Sequence, residues 1–275
     1  MPTKTAPPPR PDTGYGPVAF RELPLDSRLA IVRDGTDWLA SHLDSLTDAD
    51  LEDASLLPGW SRRHLLAHLG YNAVALGNLM SWAATGVETP MYSSPEARNR
   101  EIDYGATLPA EYLRDLFHRT AARLADQWAR LPKEGWSVQV RTAQGRNVPA
   151  AEAVWMRSRE VWIHTVDLNT GATFDDFPGP VVADLFGDVL SAWRRRGAGE
   201  RLRLRTTDPV LFGLGPADSS AEAGSGFAGL VDVDPQFEGE RDSVNGSTAA
   251  LVGWMCGRSS SGVDMPTGVR APAWL

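Results

Sequence analysis

The chain has 275 residues, 42% of them hydrophobic, with a single cysteine, Cys256. That length and apolar content suffice for one large domain or two ordinary ones, and a lone cysteine excludes an intrachain disulfide framework and a cysteine-based zinc ribbon. A formal net charge of -8 removes any general attraction to nucleic acid or to an anionic membrane, so an anionic ligand requires locally placed arginines.

The opening MPTKTAPPPRPDTGYGP lacks the apolar stretch of a signal peptide, and its prolines favour an extended arm over residues 1–19. No stretch reads as membrane-spanning, and a cytoplasmic protein is expected. From LPLDSRLAIVRDGTDWLASHLDSLT onward apolar residues recur at helical spacing, with Asp26 or Ser27 available as a cap. SRRHLLAHLGYNAVALGNLMSWAATG predicts a second helix over about 61–85, capped by Ser61 and stopped by Gly86. The connection VETPMYSSPEARNREIDYGATLP shows no sustained period beyond one turn at Ser94-Pro95-Glu96, and long connections of this kind often cover a site. PAEYLRDLFHRTAARLADQWARLP is the third helix, which sets Tyr112, Leu116, Ala122, Leu124 and Trp128 around a mixed amphipathic cylinder and ends before Pro132.

WSVQVRTAQGRNVPA alternates and turns at Gln144-Gly145, and AAEAVWMRSREVWIHTVDLNTG is the fourth helix, closed by Gly171. These elements predict a mainly α protein: an antiparallel four-helix bundle over residues 20–177, then a small α+β domain over 178–275. The second part holds a helix at VVADLFGDVLSAWRRRGAG, a strand at RLRLRTT, a Gly-rich region and a last helix at STAALVGWMCGR.

Chemistry concentrates on two helices. With Val161 at the centre of the buried face, Glu160 lies roughly 100° and His164 roughly 60° to the same side. With Leu69 as the centre of the second helix, His68 falls roughly 100° off and Asn72 roughly 60°, whereas His64 turns toward solvent. If the two shoulders face each other, two imidazoles and a carboxylate converge, the ligand set of several catalytic zinc sites. The alternatives are a surface i,i+4 pair worth about 0.2–0.5 kcal/mol and a hydrogen-bonded core histidine. Asp167 is placed at the surface, with the other ring nitrogen of His164 or a role as an extra ligand as the alternatives. Arg157 and Arg159 are divided between solvent and the site. Trp60, Trp82, Trp155 and Trp162 read as core anchors, and Cys256 as a buried thiol.

LPGWSRRHLLAHLGYNAVALGNLMSWA, TPMYSSPEARNREIDYG, TAQGRNVPA and WMRSREVWIHTVDL together resemble the mycothiol-dependent maleylpyruvate isomerase family. The resemblance implies a DinB-like four-helix bundle holding a divalent metal, usually zinc, and a C-terminal domain similar to sterol-carrier folds. It assigns the metal ligands to His68, Glu160 and His164 and, through MCGRSSSGV, a catalytic arginine to Arg258. Mycothiol is the implied thiol cofactor, its metal-activated thiolate adding to maleylpyruvate and leaving after rotation to give fumarylpyruvate. A dianionic substrate wants arginine forks, for which Arg98 is a candidate in the cofactor site, with an ion pair to Glu101 as the alternative. Asn72 is a candidate for orienting a ligand there, with a plain interhelix hydrogen bond as the alternative. The expected partners are these small molecules alone, without nucleic acid or membrane, in a monomer or weak homo-oligomer. Competing readings are a mycothiol S-transferase for another electrophile and a noncatalytic binding module.

Overall fold

The computed structural model describes residues 18–208 and 229–274. The Gly-rich stretch from 209 to 228 and nearly all of the Pro-rich arm lie outside the described residues. The chain divides into two compact units between Ala172 and Thr173, with residues 18–24 belonging to the second.

The first unit contains α1 (Leu25–Asp44), α2 (Arg62–Thr85), α3 (Pro95–Ala106), α4 (Ala110–Arg130) and α5 (Glu152–Asp167). Packing contacts link α2 to α4 and α5, and α1 to α5 and α4, the neighbour relations of a four-helix bundle. The four longer helices contribute stripes of buried apolar residues, such as Ile31, Leu39 and Leu43 on α1 and Leu65, Leu69 and Leu76 on α2. Burial of such a side chain contributes about 1.5–3 kcal/mol, which makes these stripes the main reason the helices assemble. Gly35 sets how closely α1 meets α5: a Cβ there would lie 2.6 Å from Nε1 of Trp162.

Several boundaries differ from expectation. Helix α1 begins at Leu25, which places Asp26 inside the first turn rather than before it. The buried stripe of α4 is Leu113, Phe117, Leu124 and Trp128, while Tyr112 is 55% exposed. The preceding connection folds into a true helix, α3, whose Ser94 cap accepts from the Ala97 amide and whose Pro95 opens the first turn. It shows little periodicity because only Ile102, Gly105 and Ala106 are buried. Helix α5 stops at Asp167, four residues before Gly171, because Asn169 already takes a left-handed conformation. The turn at Gln144-Gly145 joins β1 (Gln139–Arg141) to β2 (Asn147–Pro149) in an antiparallel hairpin, with Gly145 at φ 79.

In the second unit α6 (Gly179–Arg195) packs on α7 (Thr248–Met255). A four-stranded sheet runs in the order β4 (Gly229–Asp232), β3 (Leu202–Thr206), β5 (Asp242–Gly246), β6 (Val263–Asp264). Strand β3 pairs antiparallel with β4 and parallel with β5, and its Leu202, Leu204 and Thr206 point inward by simple alternation. Arg203 crosses to Asp232 with contacts of 2.7 and 3.0 Å, and Ser247 caps α7 by accepting from Ala250. Cys256 is buried, as expected. Among the described residues no helix is long and apolar enough to cross a membrane.

Candidate metal centre and cleft

The start of α2 is clamped to the end of α5. Ser61 meets His64 Nδ1 through its hydroxyl at 2.8 Å, which turns His64 into part of the cap. Arg62, 8% exposed, donates from Nε to the Leu168 carbonyl at 2.7 Å and from Nη2 to the Asn169 carbonyl at 3.3 Å. This clamp holds the two helices in the register that lets His68, Glu160 and His164 meet.

Glu160 Oε2 lies 2.8 Å from His68 Nε2 and 3.1 Å from His164 Nε2, and the three candidate ligand atoms fall within 4.8 Å of one another. Tetrahedral coordination at bonds of about 2.0–2.2 Å separates ligand atoms by roughly 3.3 Å, so the two Glu160 contacts would need to open only by a few tenths of an ångström to admit a metal. Asp167, fully buried rather than at the surface, faces His164 Nδ1 at 2.8 Å. A carboxylate only accepts there, so His164 Nδ1 carries a proton and Nε2 is the nitrogen turned toward the cluster.

Electrostatics agree with that geometry. Burial alone would raise the Glu160 carboxyl, but His68 and His164 outweigh it and hold the group well below its ordinary value. Burial also opposes protonation of His164, yet the hydrogen bonds it gives to Asp167 and Glu160 push it up to about 9. For His68 burial wins over Glu160 and the imidazole is pushed down. The cluster thus holds one carboxylate between a neutral His68 and a protonated His164, and loss of the His164 Nε2 proton would leave a donor set suited to a borderline-soft dication.

His68 and Glu160 form part of the lining of a cleft of about 570 Å³. Arg98, Arg141 and Arg159 share its wall, together with Trp82, Met91, Tyr92 and Asn72. Arg98 Nη2 lies 3.3 Å from His68 Nδ1, and its Nη1 donates to Asn99 rather than to Glu101. Asn72 takes the interhelix role: its Oδ1 accepts from Arg157 at 2.9 Å. Arg157 is 1% exposed and also donates to the Leu69 carbonyl, so it is a buried cation and not a solvated one. Burial pushes its guanidinium down to about 10, with Glu160 opposing. Of the tryptophans, Trp155 and Trp162 are core residues, whereas Trp82 is half-buried on the cleft and Trp60 lies beside His68 with ring centroids 5.5 Å apart. Arg258, in the second unit, follows α7 and donates from Nη1 to the Cys256 carbonyl at 2.7 Å.

Arg141 and Tyr92 join this cleft without having been singled out by pattern. Arg141 sits on a short hairpin that carries no periodic signal, and Tyr92 lies in irregular chain ahead of α3. The one local signal near Tyr92 is the Ser-Pro helix start two residues on.

The outer partner of His164 gives a direct test. Replacing Asp167 by Asn is expected to weaken metal retention about 10–100-fold without loss of helix content, measured by titration against a competing chelator. Unchanged affinity would leave Asp167 as packing alone.

No curated protein matches the chain. Residues 32–169 match the family model described as the mycothiol maleylpyruvate isomerase N-terminal domain. A crystal structure of the mycothiol-dependent maleylpyruvate isomerase is similar with a TM-score of 0.82 and 43% identity, over 94% of this chain and 100% of that one. A histidine-to-alanine mutant of the mycothiol-dependent maleylpyruvate isomerase gives a TM-score of 0.82 at 42% identity with the same coverage. The chain belongs to the mycothiol maleylpyruvate isomerase family.

Proposed function

We propose that this chain converts maleylpyruvate to fumarylpyruvate, with mycothiol as thiol cofactor and a zinc ion held by His68, Glu160 and His164. The observation that supports it is the meeting of those three side chains in a family member, beside a cleft whose wall carries three arginines. When bound, the metal supplies a Lewis acid that favours thiolate over thiol, and mycothiol supplies a nucleophile whose transient addition relaxes the double bond.

The chain's own residues bind and orient. Arg98, Arg141 and Arg159 offer donor forks for a substrate with two carboxylates, which an acidic protein must supply locally. Arg98 has only hydrogens to give, so it keeps its contact with His68 Nδ1 while that nitrogen has a lone pair. Were His68 to hold the metal, its ring proton would sit on Nδ1, and Arg98 would then be free to face the anion. Trp82, Met91 and Met156 make the apolar part of the wall, where excluded water strengthens every charged contact. Asn72 steadies the buried charge of Arg157 behind the cluster and is the proposed contact to the cofactor. The reading suits a cytoplasmic enzyme of aromatic-compound breakdown, whose one cysteine stays reduced and buried.

Arg258 is proposed as a catalytic arginine, supported by the likeness of MCGRSSSGV to the family's arginine-bearing segment. Arg258→Ala is expected to lower kcat roughly a hundredfold with metal content intact, the scale of losing one charge-stabilising donor. Unchanged kinetics would reduce Arg258 to a charge that satisfies the helix-end carbonyl of Cys256.

The deciding assay follows ultraviolet absorbance as zinc-loaded protein meets maleylpyruvate with mycothiol, with glutathione or with no thiol. Conversion only with mycothiol is the expected result. No conversion by folded, metal-bound protein would overturn the isomerase reading in favour of thiol transfer to a different electrophile.

A further inference from the structure

Tyr92 lines the same cleft as His68, Glu160 and Arg98, two residues before the Ser94 cap of α3. Its ring is half-buried, and among the described residues its hydroxyl donates to no protein acceptor. The Arg98 guanidinium carbon lies over the ring, 5.9 Å from its centroid, and the guanidinium gives a hydrogen bond to the phenol oxygen. The oxygen's acceptor capacity is thereby engaged by Arg98, while its own proton remains to be given. Burial pushes the phenol above its ordinary value, Glu160 adds to this and Arg98 opposes, so the hydroxyl stays protonated at neutral pH. Arg141, by contrast, is about half exposed and 3.4 Å from Glu88, at the outer part of the wall.

We propose that Tyr92, positioned by Arg98, donates the hydrogen bond that receives the substrate's keto oxygen conjugated with the reacting double bond. This rests on the isomerase reading above. Opening of the double bond by a nucleophile moves its π pair toward that oxygen, and expulsion of the nucleophile returns it. The Tyr92 proton is shared and not transferred, so no base, oxidant or reductant is consumed. A neutral donor suits the position: it meets charge only when charge develops, whereas a second arginine would already pair with a ground-state carboxylate.

The test is Tyr92→Phe, which removes one oxygen and keeps the ring. In the zinc-loaded protein kcat is expected to fall about a hundredfold while KM moves by less than about threefold, with metal content unchanged. A second arm needs no turnover. Acetylpyruvate has the corresponding keto oxygen without the alkene and enolises without a thiol, so its near-ultraviolet difference spectrum reports binding. Its enolate, which carries the charge that the substrate oxygen gains only during reaction, is expected to bind the Phe variant about tenfold more weakly at a pH where the probe is enolised and ionised. An unchanged kcat, an unchanged probe affinity, or a metal content that falls in step with kcat each overturns the proposal. Should the wild-type chain leave maleylpyruvate untouched, the isomerase reading falls on its own, and the acetylpyruvate arm still decides for or against Tyr92.

Discussion

His164→Ala is expected to abolish metal retention and maleylpyruvate turnover together while the helix content stays the same. His164 offers one of the three candidate ligand atoms and is the member whose orientation is fixed from behind, by Asp167 at 2.8 Å. Losing only such an outer partner costs about 10–100-fold in metal affinity, so losing the ligand itself costs more than that. Alanine favours the helix, and the removed side chain sits near the C-terminal end of α5, so the backbone has no reason to unwind. Two further consequences are specific. Glu160 loses one of the two histidines that hold its carboxyl down, and Asp167 becomes a buried carboxylate without its imidazole partner. Metal content after gel filtration, circular dichroism and the ultraviolet assay check the three statements separately. Full activity, or a full equivalent of tightly held metal, in this variant would remove the proposed centre.

Trp162→Ala is expected to produce the largest loss of stability, about 3–5 kcal/mol, read from the denaturant midpoint of the metal-free protein. Trp162 is fully buried and its ring centroid is 5.1 Å from that of Trp38. The absence of a side chain at Gly35 makes the slot into which the indole edge fits, with ring atoms 2.6 and 2.8 Å from where a Cβ would stand. Alanine at 162 therefore leaves a hole that α1 cannot fill, because its nearest residue has no side chain to move into it. Trp162 lies between Glu160 and His164 in sequence but is buried in the core, away from the cleft lining. At temperatures where the variant remains folded its metal stoichiometry is expected to be normal. A loss below about 1 kcal/mol would mean that the α1–α5 interface closes over the gap.

Much of the site was legible before any coordinates. A 3.6-residue period alone puts His68 on one shoulder of its helix and Glu160 and His164 on one shoulder of theirs, and the family motifs favour the metal reading over a surface pair. Less legible were residues whose role depends on where another chain segment lies. Asp167 looks like a surface acid at a helix end until Leu56 and the Arg62 clamp cover that end. Arg157 looks like a solvated charge until α2 presents the Leu69 carbonyl and Asn72. Helix α3 escaped the periodic reading because a short helix with one thin buried strip carries almost no pattern.

The sequence by itself determined the helical segments, the inward faces of α2 and α5 and the residue types available to a metal, since helical period and ligand chemistry are local properties. Only the tertiary structure decided that Glu160 stands within 3.1 Å of both imidazoles, that Arg98 and Tyr92 share their cleft, and that Asp167 and Arg157 are buried. Those facts depend on how far one helix is pushed along another by packed side chains such as Trp162 and Arg62, a sum of many small contacts that no stretch of chain encodes alone.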